Sequence, residues 1–447
     1  MTEMERKLTE GGVLGTLLRF SLPFLMSFFL QTLYGMADLY IIGRYCGVES
    51  TTAVSIGSQV MHMLTVMIVG LAMGSVVTIG QAVGGGDWHR AARTVGTTVT
   101  LFLGLSLVLT AGLLLAARGI VAVMSTPSAA VPGTRAYLRI CFLGIPFIVA
   151  YNVIASVFRG MGDSRSPMYF VAAACVVNIG LDEFFIGRLS LGPAGAALGT
   201  VLSQTVSVLL SLWEVGSRRQ QLQLRRGDFR PDRDIGREIL KIGVPVALQD
   251  GFIQVAFIVI TVFANLRGLA DAAAVGIVEK LIGILFLVPS SMLQAVSALA
   301  AQNIGAGAHG RARKTLGWAC LITVVWGLGA VVLMHLQSRT IIGWFSTSRE
   351  AVDLGCQYMK SYVWDCVFAG IHFSFSGFFC AYGLSGLSFL HNALSIVCVR
   401  VPLSYLAARY FTASLFPMGL ASPAGSFLSV LICLGAYAWL RKRQRGL

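Results

Sequence analysis

Eight ionisable side chains stand inside stretches that are otherwise apolar: Asp38, Asp182, Glu183, Asp250, Glu279, Lys280, Asp365 and Arg400. A charged group at mid-membrane costs about 3 kcal/mol or more, so such residues persist where they line a polar cavity or find a partner. A carboxyl in a dry pocket beside a second carboxyl can exchange a proton near neutral pH. Asp, Asn and Thr oxygens are also suitable ligands for a small hard cation such as sodium. Either ion would compete with a cationic substrate for an acidic pocket, which makes ion-for-substrate exchange the chemistry to expect.

Spacing groups these residues into stripes. Gln31, Tyr34 and Asp38 lie three and four residues apart and share one helix face. Asn178 and Asp182 form a second stripe, and Thr200 with Gln204 a third. Asp38, Asn178, Asp182 and Thr200 are the expected coupling site, for a proton or for sodium, with no other metal. Gln31, Tyr34 and Gln204 are expected in the substrate cavity. Later in the chain Asp250 shares a face with Gln254, and Asp365 with His372 and Ser376. These too are expected to line the cavity, with one alternative open: Asp250 or Asp365 pairs with Lys280 or Arg400. Glu279 and Lys280 point about 100° apart on a helix and do not pair with each other. His62, His335 and His391 read as packing residues. Phe24, Phe28, Phe29 and Met36 offer either a surface for flat cations or plain packing.

The elements that must position these side chains follow from composition. The chain has 447 residues, 56% hydrophobic and 12% charged, with a positive mean hydropathy, which excludes an ordinary soluble domain. Stretches long enough to cross about 30 Å of hydrocarbon are expected near 17–42, 53–83, 94–116, 134–159, 167–187, 193–215, 239–264, 273–304, 315–336, 355–382, 387–408 and 417–440. The net charge of +14 is concentrated in alternate loops. Arg6, Lys7, Arg90, Arg93, Arg159, Arg165, the run from Arg218 to Lys241, Arg311 to Lys314, and Arg441 to Arg445 fall on one side. That side is expected to be cytoplasmic, with both termini inside, and the charge therefore does not call for nucleic acid. Nine cysteines without a CxxC pair read as free thiols. The first dozen residues, of mixed charge and ahead of a long helix, do not read as a cleaved leader.

Residues 1–215 recur, in the same direction, in residues 239–447. An offset of 221 pairs Gln81 with Gln302, Gly84 with Gly305, Arg93 with Lys314, Arg118 with Arg339, Ser125 with Ser346, Tyr137 with Tyr358 and Gly162 with Gly383. An even number of spans per copy makes the repeats parallel, related by an axis along the membrane normal. The polar stretch 216–238 is expected to be a cytoplasmic linker. Pro23 and Pro245, at matching places in the first helix of each copy, are candidate hinges or static kinks. Gly70 and Gly74 form a GxxxG pair suited to close helix packing.

Several stretches resemble one family, the multidrug and toxic compound extrusion (MATE) transporters. "LQTLYGMADLYIIGRYCG" is similar to that family's first helix, with Asp38 as its acidic residue. "VVNIGLD" is similar to its fifth and "GPAGAALGTVLSQ" to its sixth, carried onto Asn178, Asp182 and Thr200. "GQAVGGGDWHRAART", "FRGMGDSRSPM" and "RVPLSYL" also look like family stretches. "GVPVALQDGF" and "SYVWDCVFAG" look most like the bacterial MepA-type and DinF-like branch. The resemblance spans the chain. It implies an all-α integral membrane fold of twelve transmembrane helices in two six-helix lobes arranged as a V. It also implies alternating access and efflux of small organic cations driven by protons or sodium, without a cofactor. A monomer in the bacterial plasma membrane is the expected form. Glu183 departs from the apolar or aromatic residue expected there.

Other classes fit less well. "GMGD" at 160–163 matches the GxGD of intramembrane aspartyl proteases, but it runs into "SRSP", the chain has no Tyr-Asp pair, and its repeat counterpart "AYGL" has lost the aspartate. No GxxxxGK[ST] loop serves an ATP-driven pump, and no repeated filter sequence serves a channel. A flippase for a lipid-linked anion is the nearer rival, yet it calls for a basic cavity where this one reads as acid-rich.

Overall fold

The computed structural model describes residues 8–217 and 225–445. Arg6, Lys7 and positions 218–224 of the expected linker lie outside them. Among the described residues the chain is helical throughout, with ten helices long and apolar enough to cross a membrane, or twelve when each of two bent pairs counts as one span. The first six spans are α1 (Val13–Tyr45), α2 (Val48–Gly84), α3 (Trp88–Val123), the pair α4 (Val131–Leu143) and α5 (Ile145–Gly160), α6 (Arg165–Asp182), and α7 (Gly192–Ser217). A π-helical turn, Glu183–Arg188, continues α6. The second six are α8 (Arg233–Arg267), α9 (Leu269–Leu285) running on as α10 (Leu287–Gly305), α11 (His309–Gly343), the pair α12 (Arg349–Tyr362) and α13 (Asp365–Ala381), α14 (Ser385–Ser395) running on as α15 (Val401–Tyr410), and α16 (Phe416–Gly419) with α17 (Ala421–Arg445). The bent pairs turn by 49° between α4 and α5 and by 42° between α12 and α13. Each sits fourth in its half, as duplication requires.

Loop geometry repeats as well. Gly86 and Gly307 have φ of 76° and 71°, Gly162 and Gly383 have 95° and 71°, and both pairs stand 221 apart. Those left-handed turns accept glycine readily and other residues poorly. The "GMGD" and "AYGL" glycines are therefore turn residues. Asp163 caps α6, accepting from Arg165 N at 2.9 Å and Ser166 N at 3.0 Å.

Burial is arranged for lipid. Leu115, Leu266 and Leu269 are among many large apolar side chains on the outside, which water would penalise and hydrocarbon does not. Inside, one core gathers Ile42, Val54, Leu138, Phe142 and Ile145. A second gathers Val275, Val278, Ile342, Met359 and Val363. All nine cysteines are unpaired.

The chain forms two compact units. One comprises Leu22–Gly243 with Gly305–Gly307; the other comprises Glu10–Ser21, Val244–Ile304 and Ala308–Leu447. The start of α8 stays with the first unit because two glycines let backbones touch. A Cβ on Gly74 would strike the Ile239 carbonyl, and one on Gly243 would strike that of Leu71. Ion pairs from Arg90 to Glu238, at 2.8 Å, and from Arg93 to Asp232 hold the same segment to α3. The segment Glu10–Ser21 joins the second unit through Arg311, which donates to the carbonyls of Gly11 at 2.8 Å and Glu10 at 3.1 Å.

Arg267 closes a helix end. Its Nη1 donates to the Phe411 carbonyl at 2.9 Å and its Nη2 to that of Thr412 at 3.0 Å, while Nε lies 3.4 Å from Asp271. A guanidinium suits this position because the last carbonyls of a helix lack intrahelical donors.

Candidate functional site

Three helices of the first unit bring the expected coupling residues together. The stripe on α1 turns Asp38 inward, while Asn178 and Asp182 project from the last turn of α6. All three are buried, at 6%, 1% and 0% exposure. The groups facing the Asp38 carboxyl are Asp182 and Asn178. No lysine or arginine is among the groups acting on either acid. Asp38 Oδ1, both Asp182 carboxyl oxygens and both polar atoms of Asn178 make no hydrogen bond of ordinary geometry. Two acids in contact, each an acceptor when ionised, need a donor between them.

Close approach of α7 completes the pocket. Gly199 has no side chain where one would overlap Asp182 Oδ1, and a Cβ there would stand 3.6 Å from Asn178 Nδ2. Thr200, the next residue, is partly buried, and its hydroxyl donates back to the Ala196 carbonyl at 3.0 Å. Its oxygen remains able to accept, and it faces Tyr137. Tyr137, fully enclosed on α4, packs its ring where Gly57 of α2 leaves room. Tyr34 faces Gln204, Asp38 and Tyr151, so the cavity stripe on α1 meets that on α7. Gln31 and Gln204 are half-buried. The sequence marks Tyr137 only as a repeat position and does not single out Gly199. The signal available for Gly199 was a small residue one position before a suspected ligand.

Glu183 does not add to the pocket charge. The helix widens into its π turn directly after Asp182, and Glu183 lies on the outside, where the Tyr45 hydroxyl donates to its Oε1. Insertions of this kind re-aim side chains near functional positions. Phe24 is also committed: the Arg159 guanidinium stacks on its ring, 5.1 Å from the centroid. It therefore offers no face to a flat ligand, whereas Phe29 and Met36 are exposed.

In the second unit Asp365 takes the alternative left open for it, a pairing with Arg400. Asp365 is completely buried, and Arg400 Nη2 lies 3.3 Å from its Oδ2. The same Nη2 donates to Ser426 Oγ at 2.5 Å. His372 contacts Ser426 Oγ at 3.3 Å and lies with its ring 5.4 Å from that of His391, which bonds Ser376 at 3.0 Å. These groups form a closed polar network rather than a cavity wall, because a buried acid and a buried base satisfy one another better than either satisfies a void. Lys280 is exposed, so it pairs with neither acid. Asp250 and Gln254 on α8 are half-buried, and Asp250 acts on Cys380. The adjacent Gln249, fully buried, accepts from Ser388 at 2.6 Å. Glu279 accepts from Thr261 at 3.1 Å, leaving Oε1 without a partner. Pro23 and Pro245 both lie inside continuous helices, α1 and α8.

Comparison with known proteins places this arrangement. The sequence family described as MatE matches twice, over residues 23–183 and 245–406, one match in each repeat. A Bacillus subtilis (strain 168) protein named "Probable multidrug resistance protein YoeA" is 26% identical over 98% of this chain and 96% of its own length. A second from the same organism, "Probable multidrug resistance protein YpnP", is 29% identical over 90% of each chain. Among solved structures, a MATE protein crystallised in complex with MaL6 superposes with a TM-score of 0.90, covering 99% of this chain and 98% of that one at 23% identity. That last likeness is one of fold.

Proposed function

The chain belongs to the MatE family, and on that footing we propose that it is a secondary antiporter exporting small organic cations in exchange for protons or sodium. The observation that carries this reading is the contact of Asp38 with Asp182, both buried, beside Asn178 and without a basic neighbour. Two like charges so placed favour capture of one cation, and a proton shared between facing oxygens satisfies both acids at once. Sodium is the second reading, supported by the added oxygens of Asn178 and Thr200. Multidrug resistance in the names of the aligned relatives supports the substrate class.

The exchange runs by competition. With the pair empty, its negative charge holds a cationic substrate through the Tyr34, Gln31 and Gln204 surface; entry of the coupling ion removes that charge and releases the substrate outward. An inward potential adds about 2.3 kcal/mol per charge per 100 mV. Asp250 and Gln254, on one face of α8, are the polar groups of the second unit that would meet cargo. Pro23 and Pro245 act as bending points, since each removes one backbone hydrogen bond from its helix. The protein works as a monomer in the bacterial plasma membrane, with both termini cytoplasmic, as the loop charges suggest. A flippase for anionic lipid precursors is disfavoured by the acidic pocket.

The test is efflux of a fluorescent organic cation from proteoliposomes carrying either a proton or a sodium gradient at matched potential. One gradient is expected to drive export and the other not. Equal leakage with both, and with none, would exclude antiport.

A further inference from the structure

A cavity of about 730 Å³ opens on the first unit, lined by Thr97, Thr100 and Leu101 of α3 and by residues of the connector and the start of α8. Its charge is laid out in order. Arg233, Arg237 and Lys241 recur at every fourth residue, so they share one face of α8 and are all exposed. Asp232, the acidic lining residue, is already engaged by the Arg93 guanidinium and by the backbone N–H groups of Asp234 and Ile235. Thr100 donates within α3 to the carbonyls of Gly96 and Thr97, each at 3.1 Å, and Thr97 Oγ1 accepts from Asp232 N at 3.3 Å. The basic side chains that line the cavity are Arg233, Arg237 and Lys241.

Apolar side chains border the basic ones. Leu101 and Leu240 line the same cavity, and both α3 and α8 continue as apolar spans. Basic groups beside an apolar wall at the end of a span suit the headgroup and acyl boundary of a bilayer. The connector is also held at a fixed distance from α3, because Gly96 lies so close to the Asp228 carbonyl that no Cβ fits between them.

We infer that this cavity binds an anionic phospholipid, its phosphate held by Arg233, Arg237 and Lys241 and an acyl chain lying along Leu101 and Leu240. The volume falls within the range of small-ligand pockets. A bound lipid would tie the start of α8 to α3 within the first unit.

The test uses the full chain in detergent, titrated with phosphatidylglycerol or phosphatidylcholine and read by native mass spectrometry, so it does not depend on transport. Phosphatidylglycerol should be retained in preference to phosphatidylcholine. The combined variant Arg233→Gln, Arg237→Gln, Lys241→Gln should retain it at least about tenfold less, while Arg233→Lys with Arg237→Lys keeps the preference. Absence of a preference in the parent overturns the inference whether or not the variants fold. So does equal retention by the glutamine variant, or displacement of the lipid by equimolar glycerol phosphate, which would mark a site for soluble phosphate esters.

Discussion

Gly199 presents a bare Cα to the Asp182 carboxylate, and a Cβ built there would overlap Oδ1 and stand 3.2 Å from Cγ. The approach of α7 to α6 thus depends on glycine at the point where the acid sits. Gly199→Ala is expected to displace the carboxyl from Asp38, reducing ion-coupled efflux at least about tenfold, equivalent to about 1.4 kcal/mol. Gly180→Ala, on the same helix as Asp182 but with open space around it, should leave efflux unchanged. Equal efflux by the parent and both variants would contradict the packing assigned to Gly199.

The Asp365 and Arg400 pair makes a stability prediction. Removing one partner from a buried ion pair costs about 3–5 kcal/mol, and the 3.3 Å separation places this pair toward the lower end. Arg400→Met should lower the unfolding temperature in detergent, and adding Asp365→Leu should recover much of the loss. If the double variant is no more stable than Arg400→Met, the pair is not the reason for the loss.

Asp232 supplies a pH dependence outside the spans. Its carboxylate accepts from Ile235 N and Asp234 N and faces Arg93, which together hold it below the ordinary carboxylate range. A depressed folded value stabilises the docked connector above the unfolded value of about 3.9, and that stabilisation disappears as pH falls through the folded value. Proteolysis of the connector should therefore be faster in Asp232→Asn than in the parent at neutral pH, with the difference closing below about pH 4. A difference that persists unchanged into strong acid would rule out the carboxylate as its source.

The Gly74 contact predicts overpacking. Gly74→Leu forces a side chain against the Ile239 backbone, which cannot move aside as a side chain could. A loss of about 1–3 kcal/mol is expected, read as a lower unfolding temperature; no loss would mean that α2 and the start of α8 are not in contact.

Much of this was legible in the sequence. Apolar length marked the twelve spans, and the 221-residue offset paired the turn glycines Gly162 and Gly383, to which the structure adds Gly86 and Gly307. Helical spacing put Asn178 and Asp182 on one face and Asp38 on another helix's polar stripe, and the family resemblance implied that they share a site. The same offset pairs Asp38 with Val259 and Asp182 with Leu403, so duplication copied the scaffold without copying the acids. The fate of Asp365 was not legible, because its partner lies 35 residues away and only tertiary packing chooses between Arg400 and a cavity. The π turn after Asp182, which sends Glu183 outward, has no counterpart in hydrophobic periodicity. Nor do the contacts that attach the start of α8 to the first unit, which rest on backbone approach at glycines.

The central claim is that Asp38 and Asp182 act together as the coupling site. Gradient-driven cation efflux from proteoliposomes, comparing the parent with Asp38→Asn and Asp182→Asn at equal incorporation, tests it most directly. Each single variant is expected to lose coupled efflux to about the same extent as the double, since paired groups act as one unit. Parent-level export by either single variant under the driving gradient would contradict it.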